Sequence, residues 1–326
     1  MYALVRDEHS DPPVAVHDVP EPQPAPDEAV VEVHASSVNR GELALLGVRP
    51  DGWRPGQDIA GAVVRSASDG SGPPTGARVV GLVESGGWSE RTAARTSRLA
   101  VLPDGVSFTD AATFGIAGLT ALRVVRLAGP LLGRTVLVLG AGGGVGHFVV
   151  QLAARAGARV TAHASAAGHG VDLVDVGAEY VLSGEEPESG GFDVVLDGVG
   201  GASLERAIRA VRPSGTIVLF GATDAHPAEL RLTDFFGHEG ARILTYFSYA
   251  SGDDASVGHD LATLADLTDR RLLRPTIGTV VDWRDAGEAL TALRERKFAG
   301  KAVLSFVNSV SAPRGRRTDH GGSTGS

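Results

Sequence analysis

The chain has no cysteine. That excludes disulfides, a thiolate nucleophile and any zinc or iron–sulfur centre built on cysteine ligands. Lysine is nearly absent as well, occurring only at Lys297 and Lys301, so arginine carries almost all of the positive charge. Positive charge is itself in the minority: 30 Lys and Arg against 39 Asp and Glu leave a net charge of −9. Such a balance argues against a dedicated nucleic-acid binder, which presents a basic face. No run reaches the roughly 18 apolar residues that a membrane span requires. The opening MYALVRDEHS also lacks an apolar signal core. The expectation is a cytoplasmic protein with neither a nucleic-acid nor a membrane partner.

Glycine, by contrast, is abundant, with 44 residues, and its placement is informative. Apolar runs close on it at Gly140, Gly201 and Gly221, the punctuation of strands feeding tight turns. The first ~115 residues read as β-rich, with AVVEVHA, DIAGAVV and ARVVGLV separated by Pro, Gly and Asp clusters. PEPQPAPDE, residues 20–28, is too rich in proline for regular structure. From about Thr109 the pattern changes. Val145, Phe148, Val149, Leu152, Ala153 and Ala156 follow a helical period with one buried face. RVTAH, EYVLS, FDVVLD, TIVLF and RILTYF are strand candidates alternating with helices, which predicts a parallel, doubly wound sheet. PTIGTVV, WRDAGEALTALRER and KAVLSFV return to short α+β material that rejoins the N-terminal part. Residues 309–326 have no apolar period and read as a disordered tail.

The segment TVLVLGAGGGVGHFVVQLAARAG, residues 135–157, is a strand, a glycine-dense turn and a helix in the order that a dinucleotide fingerprint requires. Gly140 suits the sharp turn, Gly143 the close approach of backbone to a pyrophosphate, and Gly146 the packing of helix on strand. Gly144 and Val145 complete the phosphate-binding loop at the helix N-terminus. An NAD site places an Asp or Glu after the second strand to hold the ribose hydroxyls. Residues 161–168 contain no carboxylate. Ser165 there can donate to a phosphate, and His163 and His169 can add partial positive charge, which favours NADP(H).

Several segments also line up, in order, with one family. They are SSVNRGELALLG (36–47), PGQDIAGAVV (55–64), GARVVGLV (76–83), GGWSERTA (86–93), LAVLPDGVSFTDAATFGIAGLTAL (99–122), FDVVLDGVGG (192–201), GTIVLFG (215–221) and GKAVL (300–304). Together with the glycine loop they resemble the medium-chain dehydrogenase/reductase superfamily, and within it the zinc-free quinone oxidoreductase, or zeta-crystallin-like, branch. The resemblance covers about residues 1–308. It implies an α/β fold with a GroES-like β-rich catalytic domain at 1–117 and 252–308 and an inserted Rossmann NADP(H)-binding domain at 118–251. It also implies a homodimer formed by pairing Rossmann sheet edges, with RILTYF as the strand at that edge.

Zinc alcohol dehydrogenases of the superfamily carry a His-Glu pair where this chain has Gln57 and Asp58, and their cysteines are missing, so no metal is expected. Gly237-His238-Glu239 resembles the lost motif but lies in the other domain. The resemblance therefore implies hydride transfer to a quinone or an α,β-unsaturated carbonyl, the latter including an enoyl reductase of a biosynthetic pathway. A member with a non-redox role is a further alternative. Asn39 matches an asparagine beside the nicotinamide, its amide reaching cofactor or substrate oxygen, or else capping the following turn. Thr120 matches a threonine in the same neighbourhood. Glu42, Trp53 and Tyr246 are candidate pocket residues, and Trp53, which stands near where relatives have a tyrosine, has no hydroxyl to donate. Gly221 and Phe247 match positions flanking the nicotinamide.

Overall fold

The computed structural model describes residues 1–164, 172–224, 226–248 and 254–307. The chain opens with an antiparallel hairpin, β1 (Tyr2–Arg6) and β2 (Val14–Asp18). The proline-rich crossing leads into β3 (Glu28–Val38), an 11-residue strand whose buried positions are mostly Val, Ala and Ser. A helix, α1 (Arg40–Val48), follows at once, inside the stretch that reads as β-rich from sequence. Next come β4 (Asp58–Arg65), β5 (Arg78–Leu82), β6 (Arg91–Arg95) and β7 (Leu99–Val101).

Helical structure then takes over, as the change of period predicts. A short α2 (Phe108–Ala111) passes through a π-turn at Phe114–Gly118 into α3 (Leu119–Leu127). The π-turn is closed by the Gly118 N–H donating to the Thr113 carbonyl at 3.3 Å. Alternation follows with β8 (Thr135–Leu139), α4 (Gly146–Arg155), β9 (Arg159–Ala164), β10 (Tyr180–Ser183), β11 (Phe192–Asp197), α5 (Ala202–Ala210), β12 (Val211–Leu219) and β13 (Arg242–Thr245). The chain returns through α6 (Asp254–Asp269), β14 (Ile277–Asp282), α7 (Ala286–Arg294) and β15 (Lys301–Ser305).

Two sheets organise these elements. The six-stranded sheet runs β10-β9-β8-β11-β12-β13, every pairing parallel. In chain order that is 3-2-1-4-5-6, the doubly wound order with its switch point between β8 and β11. The larger sheet runs β14-β15-β3-β4-β5-β7, with β6 also on β3. Because β14 and β15 join it from the far end of the chain, the parallel sheet is inserted, as the sequence predicts. One apolar cluster spans the junction, from Ala35, Ala60 and Val80 through Phe114, Ala117 and Leu264 to Val138, Phe148 and Leu196.

The winding is thinner than the sequence pattern suggests. The helices α3, α4 and α6 pack into the junction cluster, but α5 is the only α-helix among the described residues packed against the other face of the parallel sheet, over Leu137, Leu139 and Val195. Gly184–Gly191 forms no helix, because two glycines bracket a proline in a segment too short to cross with one. Tyr180 and Val181 on β10 stay exposed as a result. Ser165, His169 and the expected tail fall outside the described residues. No described helix is long and apolar enough to cross a membrane.

Candidate active site

At the carboxyl edge of the parallel sheet the backbone is crowded. Gly140 ends β8 with φ +78°, a conformation that glycine adopts without strain. A Cβ on Gly146 would lie 2.2 Å from the Gly140 carbonyl oxygen, so α4 starts directly over the turn. Gly143 would meet only that same oxygen, at 3.3 Å, which leaves its outer side bare. The neighbouring strand ends repeat the device: a Cβ on Gly221 would come within 2.1 Å of the Gly198 carbonyl. Backbone from three strands thus converges beside the switch point, where open α/β sheets bind ligands.

Asp197 closes β11 in this notch. Its Oδ1 accepts from the backbone N–H of Val199 (2.9 Å) and Gly200 (3.2 Å) and from the Ser203 hydroxyl (3.0 Å). Its Oδ2 is buried without a partner, and burial pushes the carboxyl above its usual range. An orphaned acceptor beside a bare glycine loop and a helix N-terminus fits a sugar hydroxyl next to a phosphate. The residues present therefore fit a dinucleotide.

Where α1 leaves β3, the site has the opposite character. Asn39, 7% exposed, begins the helix. Its Nδ2 donates to Asp58 Oδ2 at 2.9 Å and approaches Glu42 Oε2 at 3.5 Å. Its Oδ1 accepts a short hydrogen bond from Lys301 Nζ, which also donates to the Val38 carbonyl at 3.0 Å and lies 3.7 Å from Asp58 Oδ2. Asp58 further accepts from the Ser37 hydroxyl, and at 2.6 Å from the Ile116 N–H in the π-turn. A Cβ on Gly115 would lie 2.3 Å from Asp58 Oδ1, so that approach needs a glycine. Glu42 caps the helix instead of Asn39, accepting from the Asn39 N–H (2.7 Å) and the Gln57 N–H (2.9 Å).

Glu42, Asp58 and Lys301 are all buried, two carboxyl groups to one amine. Burial, and then repulsion from Asp58, push Glu42 up to about 8 against the pull of its two backbone donors. Burial likewise lowers Lys301, with Asp58 and Glu42 opposing. Such a cluster is costly to assemble and costly to break singly.

The two regions touch. Gly300 N–H donates to the Gly142 carbonyl at 3.1 Å, and Gly143 forms a parallel bridge to Gly300. His147, buried in the first turn of α4, shares a hydrogen with the Gly143 carbonyl through Nδ1 (3.2 Å) and accepts the Thr276 N–H at Nε2 (3.0 Å). That pair of partners fixes the Nδ1-protonated neutral ring, and burial lowers its pKa to about 4.

Of the residues singled out from sequence, Asn39 and Glu42 come together, and Thr120 is buried on α3, just beyond the π-turn that holds Asp58. Gly140, Gly143, Gly144, Val145 and Gly146 form the loop, with Gly221 beside it at the end of β12. Trp53 belongs to a separate apolar cluster with Leu46 and Trp88, under the Arg49 guanidinium at 5.8 Å. Tyr246 packs on the junction core beside Arg123, whereas Phe247 is 67% exposed. At His163, burial, and then the nearby Arg206, lower the pKa, which disfavours the positive charge expected of it. His238 donates from Nδ1 to the Val211 carbonyl (2.6 Å), a structural contact in the parallel domain. Lys301 is the participant that sequence reasoning missed; GKAVL carried it, but its scarcity was the only signal. Among the described residues no group of three or more His, Cys, Asp or Glu is placed to hold a metal ion.

These features agree with what known proteins show. A family described as zinc-binding dehydrogenase matches residues 167–304. The chain belongs to the medium-chain dehydrogenase/reductase superfamily and shares its two-domain fold. It is 34% identical over 292 residues to the spectinabilin polyketide synthase system protein NorB of Streptomyces orinoci, covering 86% of this chain but only 13% of that protein. The chain thus spans a small part of that polyketide synthase. It is 27% identical to quinone oxidoreductase-like protein 2 of Mus musculus, covering 90% of this chain and 89% of that one. Among solved structures, mycobacterial Rv1454c complexed with NADPH superposes with a TM-score of 0.80 at 25% identity, covering 94% of this chain and 100% of that one.

Proposed function

We propose that the chain is a zinc-independent, NADP(H)-dependent oxidoreductase that reduces a quinone or an α,β-unsaturated carbonyl compound. The observation that carries this reading is the glycine-built loop seated directly against the Asn39 cluster. It joins a loop that fits a dinucleotide and a buried polar cluster within one hydrogen-bonded unit. The NADPH bound by the mycobacterial neighbour and the name of the mouse relative support the cofactor and the acceptor class. At the position of the zinc-ligating pair, Asp58 already accepts from three protein donors and Gln57 lends its N–H to Glu42. That donor set suits an organic acceptor better than a metal.

When bound, a reduced nicotinamide supplies the hydride. The protein's part is to hold reactants in line and to place dipoles where charge develops. Asn39 has spent its amide hydrogens on carboxylates and keeps acceptor capacity on Oδ1, so it suits the N–H of a carboxamide and not a carbonyl oxygen. Thr120 brings a hydroxyl to the same neighbourhood. Neither Asn39 nor Trp53 has a proton to give, so the one that completes reduction comes from solvent or from another side chain. The resemblance to a stretch of a polyketide synthase favours, as second reading, an enoyl thioester as the natural acceptor. The bare edge of β13, flanked by exposed Phe236, Ile243 and Phe247, is where we place a homodimer contact.

Titration of the protein with NADPH and NADH by nicotinamide fluorescence, followed by addition of 9,10-phenanthrenequinone, tests the reading. Tighter binding of NADPH with quinone-dependent loss of the reduced-nicotinamide absorbance is expected. Failure to bind either nucleotide overturns it. Binding with turnover confined to enoyl thioesters selects the second reading.

A further inference from the structure

The Asn39 cluster and the glycine loop meet through one side chain. Lys301 begins β15, immediately after Gly300, whose N–H holds the Gly142 carbonyl. A Cβ on Gly144 would come 2.8 Å from Lys301 Cδ, so the loop rests on the lysine's methylenes. The far end of the same side chain, 3% exposed, grips Asn39 Oδ1 and the Val38 carbonyl beside Asp58. Around this stem, the Lys301 N–H donates to the Thr276 carbonyl at 2.9 Å while the Thr276 N–H is taken by His147. Every group along the path is packed or hydrogen-bonded, with no slack to absorb a displacement of the loop.

We propose that Lys301 is a positioning residue that couples occupation of the phosphate loop to the setting of Asn39. The inference rests on the reading that the loop takes the phosphates of a dinucleotide. Pressure on Gly142–Gly144 is passed along the lysine stem to its ammonium, which fixes which way the Asn39 amide faces. A competing route exists, since β15 pairs with β3 through Ala302 and Val38. The backbone alone could then carry the same signal.

A probe that fills the phosphate loop without a nicotinamide separates these routes: 2′-phospho-ADP-ribose, which cannot touch Asn39 through a carboxamide. Hydrogen exchange is measured over peptides covering 36–48 and 140–155, with and without saturating probe. In the natural protein, the probe should slow exchange in both regions, at least threefold around Asn39. In Lys301→Met/Asp58→Asn, which removes the two opposite charges of the Lys301–Asp58 pair together and lets the Asn39 amide turn to face an amide at 58, protection at 140–155 should persist and that at 36–48 should vanish. A purely structural lysine would change resting exchange without removing the probe-induced difference. Gly144→Ala, with every charge retained, should speed exchange at 36–48 at least threefold in the free protein by wedging against the stem.

Protection at 140–155 with none at 36–48 in the natural protein overturns the coupling alone. So does equal protection at 36–48 in the double variant, which would assign the signal to the β3–β15 backbone, or an unchanged 36–48 in Gly144→Ala. Absence of protection in both regions means that the probe does not bind, and it overturns the dinucleotide reading together with the inference.

Discussion

The two halves of the candidate site are built from opposite materials. At the carboxyl edge of the parallel sheet, closeness comes from having no side chains: Gly146 over Gly140 and Gly221 against Gly198 let backbone meet backbone, and the strands beneath are Val, Leu and Ile. At the start of α1, closeness comes from charge, with Glu42, Asp58 and Lys301 sealed from water around one asparagine. The first tolerates no added atoms. The second tolerates atoms better than unbalanced charge, because a lone buried ion has nowhere to place its field.

The sharpest way to break this contrast is Lys301→Met. It keeps most of the stem but leaves Asp58 uncompensated, and it should cost about 3–5 kcal/mol in urea unfolding. Adding Asp58→Asn should return most of that loss, which no added substitution could do if packing were the cause. Next in size is acid sensitivity at His147. Its folded pKa lies below the unfolded value of 6.5, so its contribution is complete above pH 6.5 and is lost as pH falls through about 4. The full loss is about 3 kcal/mol, and His147→Gln should remove that dependence from unfolding measured between pH 7 and 4.

Gly146→Ala probes the other material. With backbone 2.2 Å from the new Cβ, the loop must shift, costing about 1–3 kcal/mol. NADPH affinity measured by fluorescence should fall more than tenfold, a far larger share of function than of stability. A change of slope is also expected at Glu42. Its folded pKa is raised from 4.5 to about 8, so the folded state holds an extra proton between those values and stability declines as pH rises through that window. Glu42→Gln places an amide against a backbone N–H and should be less stable than the natural protein at pH 5. The gap should narrow towards pH 8, read as the difference in melting temperature.

The same contrast explains what could be read from the sequence. The glycine-built half is local: strand, turn and helix lie within residues 135–157, and spacing alone locates the turn and its three candidate glycines. The strand candidates of the parallel sheet are found where the apolar runs placed them. The charge-built half is assembled from far apart, since Lys301 reaches Val38 across 263 positions, and no periodicity records such a pairing. Asn39 and Glu42 stood out because they fall in one motif, but their partners did not. Asp58 drew notice for the metal ligand it does not replace. The π-turn that delivers the Ile116 N–H reads as ordinary helix. The helix missing after β10 was legible in Gly184–Gly191, where glycine and proline outvote the expected alternation.

Gly300 has one more consequence, for the order in which the molecule is made. The glycine loop leaves the ribosome long before the residues that seat it, because N-terminal segments emerge first. A nascent chain that has completed β8 to β13 owns the sheet and the turn, yet the hydrogen bond to Gly142 and the lysine under Gly144 are still to come. The candidate nucleotide site is therefore finished by a strand translated after the whole parallel sheet, and a message cut short before Gly300 yields that sheet with a glycine loop that has no seat.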